Sequence, residues 1–336
     1  MKGNYLGYLP SCDPMHGYLS HEILPNMGVA HHDPHFRVFR LVASNEVYGY
    51  EEKASRACVI AKFYGNTFGW DKDRGAARAE REYANLQTLR SHGLVGRPHH
   101  VVRPLGVNRG LNGVLVVEHY QGEPLSAAIR SAVQRGDNTR LYWRLTALAY
   151  YLARQHNETA NCATVNFHED CDYLDQLVGQ LCGKHQIDHG DAREFWWLRD
   201  RWRDRQRMWS DRQVWLHGDA TPANFLFGGD LDVGAIDLER MKRGDRLFDV
   251  GRIAGELQNA FMVATGDKTR AEPYIGHFLW EYCCHFPDRD AAFRSITSRV
   301  PYYMGMTLLR IARNNWVNGG YRRTLVEQAK ELLRAN

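Results

Sequence analysis

The stretch that decides the fold is Val214–Glu239, which reads VWLHGDATPANFLFGGDLDVGAIDLE. Three short apolar runs within it predict strands, because polar or glycine-rich residues bound each run; they lie at 214–216, 225–227 and 233–236. The Gly-Gly pair between the second and third runs predicts a tight turn. Three polar residues lie at or near the ends of these strands, and we expect their side chains to converge on one point: Asp219, Asn224 and Asp237.

These residue types match the requirements of phosphoryl transfer. A hydroxyl that attacks the terminal phosphate of a nucleotide needs a carboxylate to orient it and accept its proton, and Mg2+ to spread the charge of the triphosphate. Mg2+ prefers hard oxygen ligands and takes few of them from protein, so one carboxylate and one amide oxygen suffice. We therefore expect Asp219 to act as the base, and Asn224 and Asp237 to hold Mg2+.

The spacing of these residues resembles a known pattern. His217, Asp219 and Asn224 follow the order H-x-D-x-x-x-x-N, and Asp237 comes thirteen residues later in D-x-E. This pattern resembles the catalytic loop and the metal-binding carboxylate of kinase-fold enzymes. The His-Gly-Asp and Ile-Asp-Leu-Glu variants resemble the aminoglycoside phosphotransferase and choline kinase-like family more closely than protein kinases, which have Asp-Phe-Gly at the second site.

The resemblance implies a fold and several further roles. The implied fold is a two-lobed, protein-kinase-like α+β fold with a small antiparallel-sheet N-lobe, a larger and mostly helical C-lobe, and ATP with Mg2+ in the cleft between them. His217 would support the catalytic loop, and Asp249 would hold that loop from below. Glu239 lies two residues past Asp237 on the same side of an extended strand, so it is a candidate for contact with metal-bound water or with the acceptor.

Lys62 interrupts the apolar strand candidate at 57–64. A lysine there is costly unless it has a partner or projects into a cleft. Glu82 falls on the apolar stripe of a helix candidate at 75–91, whereas Glu80 faces the polar side. A carboxylate on a buried face requires a cation, so we expect Lys62 to pair with Glu82. The pair resembles the lysine and glutamate that hold nucleotide phosphates in kinase folds.

Two segments resemble other nucleotide-contacting parts of the family. The first resembles the turn that covers the phosphates, although Val and Ala stand where glycines are usual, so its backbone would approach the phosphates less closely. The second follows an apolar strand candidate and resembles the hinge, where main-chain groups meet the adenine edge. The residues predicted to contact nucleotide in these two segments are Ser44, Asn45, Glu118, His119 and Tyr120.

The predicted domain organisation has three parts. Residues 1–35 are rich in Gly, Pro, Tyr and His and are expected to form an irregular N-terminal extension. Residues 36–120 form the N-lobe, which binds nucleotide, and residues 121–336 form the C-lobe with the catalytic loop at 214–239. The acceptor-binding region is expected to be helical and to comprise 160–213 and 270–336. Apolar spacing predicts individual helices at 138–157, 193–212 and 246–264.

The composition excludes several classes of protein. Hydrophobic residues make up 44% and charged residues 24% of the 336 residues, which are ordinary globular values. The net charge of +4 is too small to predict binding to nucleic acid or to a membrane surface. No apolar run approaches the roughly 20 residues that span a bilayer, and the amino terminus lacks a signal-peptide pattern. We therefore expect a cytoplasmic protein.

The predicted activity is transfer of the γ-phosphate of ATP to a hydroxyl of a small molecule. A sugar or amino-sugar is the first expectation, with choline-like amino alcohols or aminoglycosides as alternatives. The short connection at 238–248 leaves too little chain for a long segment that docks a protein substrate. A nucleotide-binding pseudokinase that acts as a regulatory module is the alternative of another class. The complete set of polar residues favours an enzyme, because a module that only binds nucleotide needs no base.

Overall fold

The computed structural model describes residues 3–30, 32–41, 46–65, 72–229 and 231–335. The chain divides into two compact units: unit 1 comprises Met1–Gly122 and Gly234–Arg240, and unit 2 comprises Glu123–Val233 and Met241–Asn336. The first boundary falls close to the predicted end of the N-lobe. The segment after Val233 differs from the prediction, because it groups with unit 1. Its backbone contacts explain this: Val102 N–H donates to Ala235 O at 3.2 Å, and the Asn85 amide donates to Leu238 O at 2.8 Å.

Unit 1 is built on a six-stranded antiparallel sheet in the order β1-β2-β3-β4-β8-β7. A separate hairpin is formed by β5 and β6. The strands are β1 (Asn4–Tyr8), β2 (Phe36–Arg40), β3 (Glu46–Glu52), β4 (Cys58–Phe63), β5 (Val95–Gly96), β6 (His99–Val101), β7 (Pro104–Asn108) and β8 (Val114–Glu118). The strand candidate at 57–64 is therefore present as β4, and the apolar strand candidate next to the predicted hinge is present as β8.

The segment before β2 contains regular structure, so the expected irregular extension is wrong in this respect. β1 pairs with β2, and α1 (Pro14–Tyr18) continues through a π-helical turn (Leu19–Ile23) into α2 (Leu24–Asn26). Apolar side chains at helical spacing join the core on one face of the sheet, which favours regular structure despite the turn-rich composition. These buried side chains are Met15, Tyr18, Leu19, Ile23 and Leu24.

The helix α3 (Lys72–Ser91) contains the stripe predicted from the sequence. Ala79, Leu86 and Leu89 are completely buried, and Glu82 on the same stripe is 1% exposed. In β4, alternation directs Val59 and Ala61 into the core described above, and Lys62 therefore points to the opposite face. Alternation in the strand and periodicity in the helix thus place Lys62 and Glu82 on facing surfaces.

Unit 2 is mostly helical. Its helices are α4 (Leu125–Arg135), α5 (Asn138–Glu158), α6 (Phe167–Gly183), α7 (His189–Arg203), α8 (Leu247–Thr265), α9 (Glu272–Cys283), α10 (Arg289–Ala312) and α11 (Gly319–Arg334). The short strands that follow β8 in the chain are β9 (Glu123–Pro124), β10 (Val214–Leu216), β11 (Phe225–Phe227), β12 (Val233–Ala235), which runs across the unit boundary, and β13 (Lys242–Gly244). Within unit 2, β9 pairs with β11 and β10 pairs with β13, both antiparallel.

The helices predicted at 138–157 and 246–264 are present as α5 and α8. The single helix predicted at 193–212 is wrong, because α7 ends at Arg203 and a 3-10 turn follows at Gln206–Met208. Trp209, which lies in the predicted range, does not extend the helix. Its side chain folds back, and its Nε1 donates to Arg203 O at 2.8 Å. Among the described residues, no helix combines the length and the apolar character that crossing a membrane requires.

Two glycines bring α10 close to α8. A Cβ at Gly251 would lie 2.3 Å from the Cβ of Tyr303, and a Cβ at Gly255 would lie 2.8 Å from the Cβ of Thr307. Any larger side chain at these positions would force the two helices apart. The close approach fixes which residues of α10 lie near the start of α8.

Candidate active site

In unit 1, Lys62 lies between two carboxylates. Its Nζ donates to Glu82 Oε1 at 2.8 Å and to Asp237 Oδ1 at 2.9 Å. Although burial disfavours the ammonium form, the charges of Asp237 and Glu82 hold the pKa of Lys62 well above its ordinary value. The hydroxyl of Tyr64 also donates to Glu82, at Oε2. The lysine is therefore a fixed, permanently charged group with one partner on α3 and one on the segment after β12.

Asp237 adopts a backbone conformation that is rare for a residue with a side chain. Its φ is 65°, in the left-handed region, which Asp tolerates better than most residues but which still costs energy. Non-glycine residues in this region cluster at functional sites, where the surrounding structure holds them. Here hydrogen bonds hold the two residues that follow Asp237. The Asn85 amide donates to Leu238 O at 2.8 Å, and Arg78 donates to Glu239 at 2.6 Å.

Three carboxylates of unit 1 form a possible metal-binding group: Glu82, Asp237 and Glu239 each offer an oxygen within 4.8 Å of the others. Such hard oxygen donors fit Mg2+ or Ca2+. Glu82 is occupied by Lys62 and Tyr64 and its side chain is 1% exposed. Glu239 is engaged by Arg78, whereas the side chain of Asp237 is 28% exposed. Asp237 is therefore the member of the group best placed to bind a metal ion.

The predicted hinge residues begin with Glu118, the last residue of β8. Two of their N–H groups are already used inside unit 1: Glu118 N–H donates to Arg103 O at 3.0 Å, and His119 N–H donates to Cys58 O at 3.3 Å. The Glu118 carboxylate accepts from His100 Nε2 at 2.5 Å. Recognition of a base by this segment would therefore require main-chain groups other than these two N–H groups. The other predicted nucleotide contacts, Ser44 and Asn45, lie outside the described residues.

In unit 2, the turn His217-Gly218-Asp219 is held by Asp249 of α8. The Asp249 carboxylate accepts the N–H of His217 at 2.6 Å and the N–H of Gly218 at 3.0 Å. Gly218 has φ 77°, a conformation that favours glycine. The imidazole of His217 is completely buried, and its Nδ1 accepts the N–H of Asp219 at 3.4 Å. These contacts fix the backbone from which Asp219 projects.

Asp249 is a completely buried carboxylate that stays ionised. Burial favours the neutral acid, but the hydrogen bonds from His156 and from the backbone N–H of His217 hold the pKa of Asp249 below its ordinary value. His156 Nε2 lies 3.3 Å from Asp249 Oδ2, and its Nδ1 lies 2.9 Å from the Tyr282 hydroxyl. Burial lowers the pKa of His156, so the geometry fits a neutral imidazole that donates to Asp249 and accepts from Tyr282.

A hydrogen bond joins Asn224 to the backbone of Asp219. The Asn224 amide nitrogen donates to Asp219 O at 2.9 Å, so its side-chain oxygen is the atom that could bind a metal ion. Asp219 Oδ1 accepts from Arg252 Nη1 at 2.7 Å, and Arg310 Nη1 lies 3.9 Å from the same oxygen. The side chain of Asp219 is 21% exposed, so the carboxylate is partly open to solvent.

Sequence reasoning missed four residues that contact predicted site residues: Tyr64 and Arg78 in unit 1, and Arg252 and Arg310 in unit 2. A signal for one of them was present. Arg252 lies four residues after Phe248, on a face of α8 that is buried, so the argument that identified Glu82 also applies to it. No comparable signal marks Arg310, because its position depends on how α10 packs against α8.

The fold and these two groups of residues define a kinase-like phosphotransferase. The model of the phosphotransferase enzyme family matches residues 35–283, and the chain therefore belongs to that family, whose members transfer phosphate to a hydroxyl acceptor. No curated protein matches the sequence significantly. The expected family, fold class and enzyme class are confirmed.

Solved structures show the same fold at low sequence identity. An ethanolamine kinase from Plasmodium vivax has a TM-score of 0.58 and 13% identity, covering 89% of this chain and 81% of that one. An amicoumacin kinase in complex with AMP-PNP, Ca2+ and Ami has a TM-score of 0.57 and 15% identity, covering 88% and 87%. An ADP-bound aminoglycoside phosphotransferase has a TM-score of 0.53 and 13% identity, covering 93% and 95%. At these identities the similarity establishes the fold alone.

Proposed function

We propose that this protein is an ATP-dependent, Mg2+-requiring small-molecule kinase that transfers the γ-phosphate to a hydroxyl of a sugar or amino-sugar-like acceptor. The observation that carries the proposal is the buried ammonium of Lys62, bonded to Glu82 at 2.8 Å and to Asp237 at 2.9 Å. A purely structural ion pair needs neither a second carboxylate nor an aspartate in the left-handed region. A site for the phosphates of a nucleotide in a kinase fold uses a lysine–glutamate pair together with a metal-binding aspartate, and residues in the left-handed region cluster at functional sites.

In this proposal Lys62, oriented by Glu82, binds the phosphates of ATP. The oxygens of Asn224 and Asp237 are the ligands of Mg2+, which when bound neutralises charge on the triphosphate. The amicoumacin kinase bound to AMP-PNP and Ca2+ supports the use of a nucleotide with a divalent ion. Glu239 stays a candidate for contact with metal-bound water or the acceptor.

Asp219 is proposed to orient the acceptor and to take its proton. The acceptor oxygen forms a bond to the γ-phosphorus, the bond from that phosphorus to the β-γ bridging oxygen breaks, and ADP leaves. The acceptor proton passes to the Asp219 carboxylate. His217 and Asp249 act indirectly in this proposal, because they fix the turn that carries Asp219. Ser44, Asn45 and residues 118–120 remain predicted nucleotide contacts.

A small acceptor is supported by the connection that follows Arg240. Its residues pair with β10: Lys242 lies opposite Leu216, and Gly244 lies opposite Val214. The chain therefore enters α8 through regular structure, with no long segment to dock a protein substrate. The ethanolamine, amicoumacin and aminoglycoside kinases named above also act on small molecules.

The charges around Asp219 favour a sugar hydroxyl over a choline-like amino alcohol. Two guanidinium groups, those of Arg252 and Arg310, lie within 4 Å of the Asp219 carboxylate. In an amino alcohol the cationic nitrogen lies close to the reacting hydroxyl, where the carboxylates of Asp219 and Glu256 are already paired with arginines and so offer that cation little attraction. A sugar presents neutral hydroxyls there, and an amino-sugar can carry its amine further away.

A cytoplasmic location is proposed with this function and rests on the sequence.

The proposal is tested by a panel of sugars, amino-sugars, amino alcohols, aminoglycosides and peptides, with ADP release from MgATP as the measurement. We expect release to be stimulated most by a sugar or amino-sugar, and to be lost in Asp219→Asn. The matched control is Asp288→Asn, since Asp288 only caps α10 at the surface. Stimulation by peptides alone would refute the acceptor assignment. A Mg2+-dependent thermal shift by ATP with no turnover would instead identify a pseudokinase.

A further inference from the structure

Arg252 is buried beside Asp219 and binds its loop at two points. Its side chain is 3% exposed. Its Nη1 donates to Asp219 Oδ1 at 2.7 Å and to Gly218 O at 3.2 Å. The guanidinium group lies 4.8 Å from the ring centroid of Phe248, one turn earlier on the same helix. A single arginine therefore holds both the backbone and the carboxylate of this loop.

The two oxygens of Asp219 have different surroundings. Within the described part of the chain, both arginine contacts of the carboxylate are to Oδ1, at 2.7 Å from Arg252 and 3.9 Å from Arg310. No hydrogen bond from a described residue reaches Oδ2. An acceptor hydroxyl can therefore approach Oδ2 while Oδ1 is held.

Burying the charge of an arginine costs desolvation free energy that an apolar residue at the same position would not cost. Burial, and then the charge of Arg310, lower the pKa of Arg252, so its charge is maintained against its surroundings. Buried ion pairs can often be replaced by apolar residues without loss of stability. The cost fits a group that is retained for the geometry of the loop rather than for stability alone.

We propose that Arg252 is a positioning residue for the phosphoryl transfer: it holds Asp219 Oδ1 and the peptide of Gly218, so that Oδ2 faces the acceptor hydroxyl. This inference rests on the proposed role of Asp219. Arg252 takes no proton and touches no reacting atom. It restricts the rotation of the carboxylate and so reduces the number of orientations in which the acceptor hydroxyl is badly aligned.

Arg310 supplies a matched control. It carries the same charge and lies near the same oxygen, but at 3.9 Å from Oδ1 it is beyond hydrogen-bond range. Its Nη2 donates instead to Glu256. If a positive charge near Asp219 were sufficient to orient its carboxylate, Arg252 and Arg310 would contribute equally to kcat. If the hydrogen bond is what matters, only Arg252 contributes strongly.

The test is a double-mutant cycle on the full-length protein. Radiolabelled ADP release from MgATP is measured with water as the acceptor for Arg252→Gln, Arg310→Gln, Asp219→Asn and Arg252→Gln/Asp219→Asn. We expect Arg252→Gln to lower kcat about 100-fold and to leave KM for ATP within about twofold. Arg310→Gln should lower kcat by no more than about threefold. In the Asp219→Asn background, the change at Arg252 should have almost no further effect.

The outcomes separate the inference from the proposed function. If the losses from Arg252→Gln and Asp219→Asn multiply, or if KM for ATP rises as kcat falls, Arg252 has a general structural role and the inference is overturned. If Asp219→Asn keeps wild-type turnover, it is the proposed function that fails. Should Arg252→Gln not fold, the cycle is run with Arg252→Lys, which keeps the charge without the planar fork. Its partial loss of kcat must likewise disappear in the Asp219→Asn background.

Discussion

Replacing Asp249 by Asn provides a sharp test of how the loop before Asp219 is held. The two carboxylate oxygens of Asp249 accept the N–H groups of His217 at 2.6 Å and Gly218 at 3.0 Å. Asn keeps the shape of the side chain but exchanges one oxygen for an NH2 group. That NH2 group must face either the N–H of Gly218 or both the N–H of His217 and the imidazole of His156, so at least one buried donor loses its acceptor.

The magnitude follows from these contacts. Each hydrogen bond to the charged carboxylate is worth about 1.5–3 kcal/mol, and a buried donor left without a partner costs about 1–3 kcal/mol. Asn retains one neutral hydrogen bond, so we expect the free energy of unfolding to fall by about 3–5 kcal/mol. For a unit of this size, that corresponds to a decrease in Tm of about 10 °C. Because the turn that carries Asp219 is released, kcat should fall at least about 100-fold.

The assay is thermal unfolding of both proteins, followed by ADP release from MgATP. Asp288→Asn is the control, because the side chain of Asp288 caps α10 by accepting the N–H of Ala291 at 2.9 Å and Asn caps helices as well as Asp does. Its Tm should match the wild type. If Asp249→Asn melted within about 2 °C of the wild type, the carboxylate would not hold the loop and the reasoning would be wrong.

The remaining predictions concern pH, the nucleotide and the backbone. The pKa of Asp249 is lower in the folded state than in the unfolded chain, so its stabilisation is complete above about pH 4. This stabilisation is lost as pH falls through the lowered pKa. The difference in unfolding free energy between wild type and Asp249→Asn, measured by denaturation at a series of acid pH values, should therefore shrink below about pH 4. Lys62→Met should abolish the thermal shift produced by ATP, measured by calorimetry; an unchanged shift would remove Lys62 from the nucleotide site. Asp237→Asn should weaken the Mg2+ dependence of that shift, and an identical Mg2+ titration would contradict its assignment as a ligand. Gly218→Ala should cost about 1–2 kcal/mol of stability, because φ there is 77°; an unchanged denaturant midpoint would refute this.

Much of unit 1 could be predicted from local patterns. Alternation along β4 and the 3.6-residue period of α3 were enough to direct Lys62 and Glu82 toward each other, because a charge on an apolar face requires a partner. The same patterns could not show that Tyr64 donates to Glu82, because that contact depends on the rotamers of both side chains. They could not show that Arg78 binds Glu239 either, because Glu239 lies far along the chain. The N-terminal segment was predicted as irregular because it is rich in Gly, Pro, Tyr and His, yet several of its apolar side chains pack in the core.

The sequence by itself determined the class of the protein, because the spacing of Asp219, Asn224 and Asp237 is a property of the chain that phosphoryl transfer requires. Only the tertiary structure decided what surrounds Asp219. The sequence pattern marks Arg252 as a charge on a buried face but does not show its partner, and it marks Arg310 as an ordinary charge on a helix. Arg310 comes near the carboxylate that Arg252 holds because Gly251 and Gly255 let α10 pack closely against α8. Such a contact depends on the distance between two helix axes, which packing sets and which no local pattern of residues records.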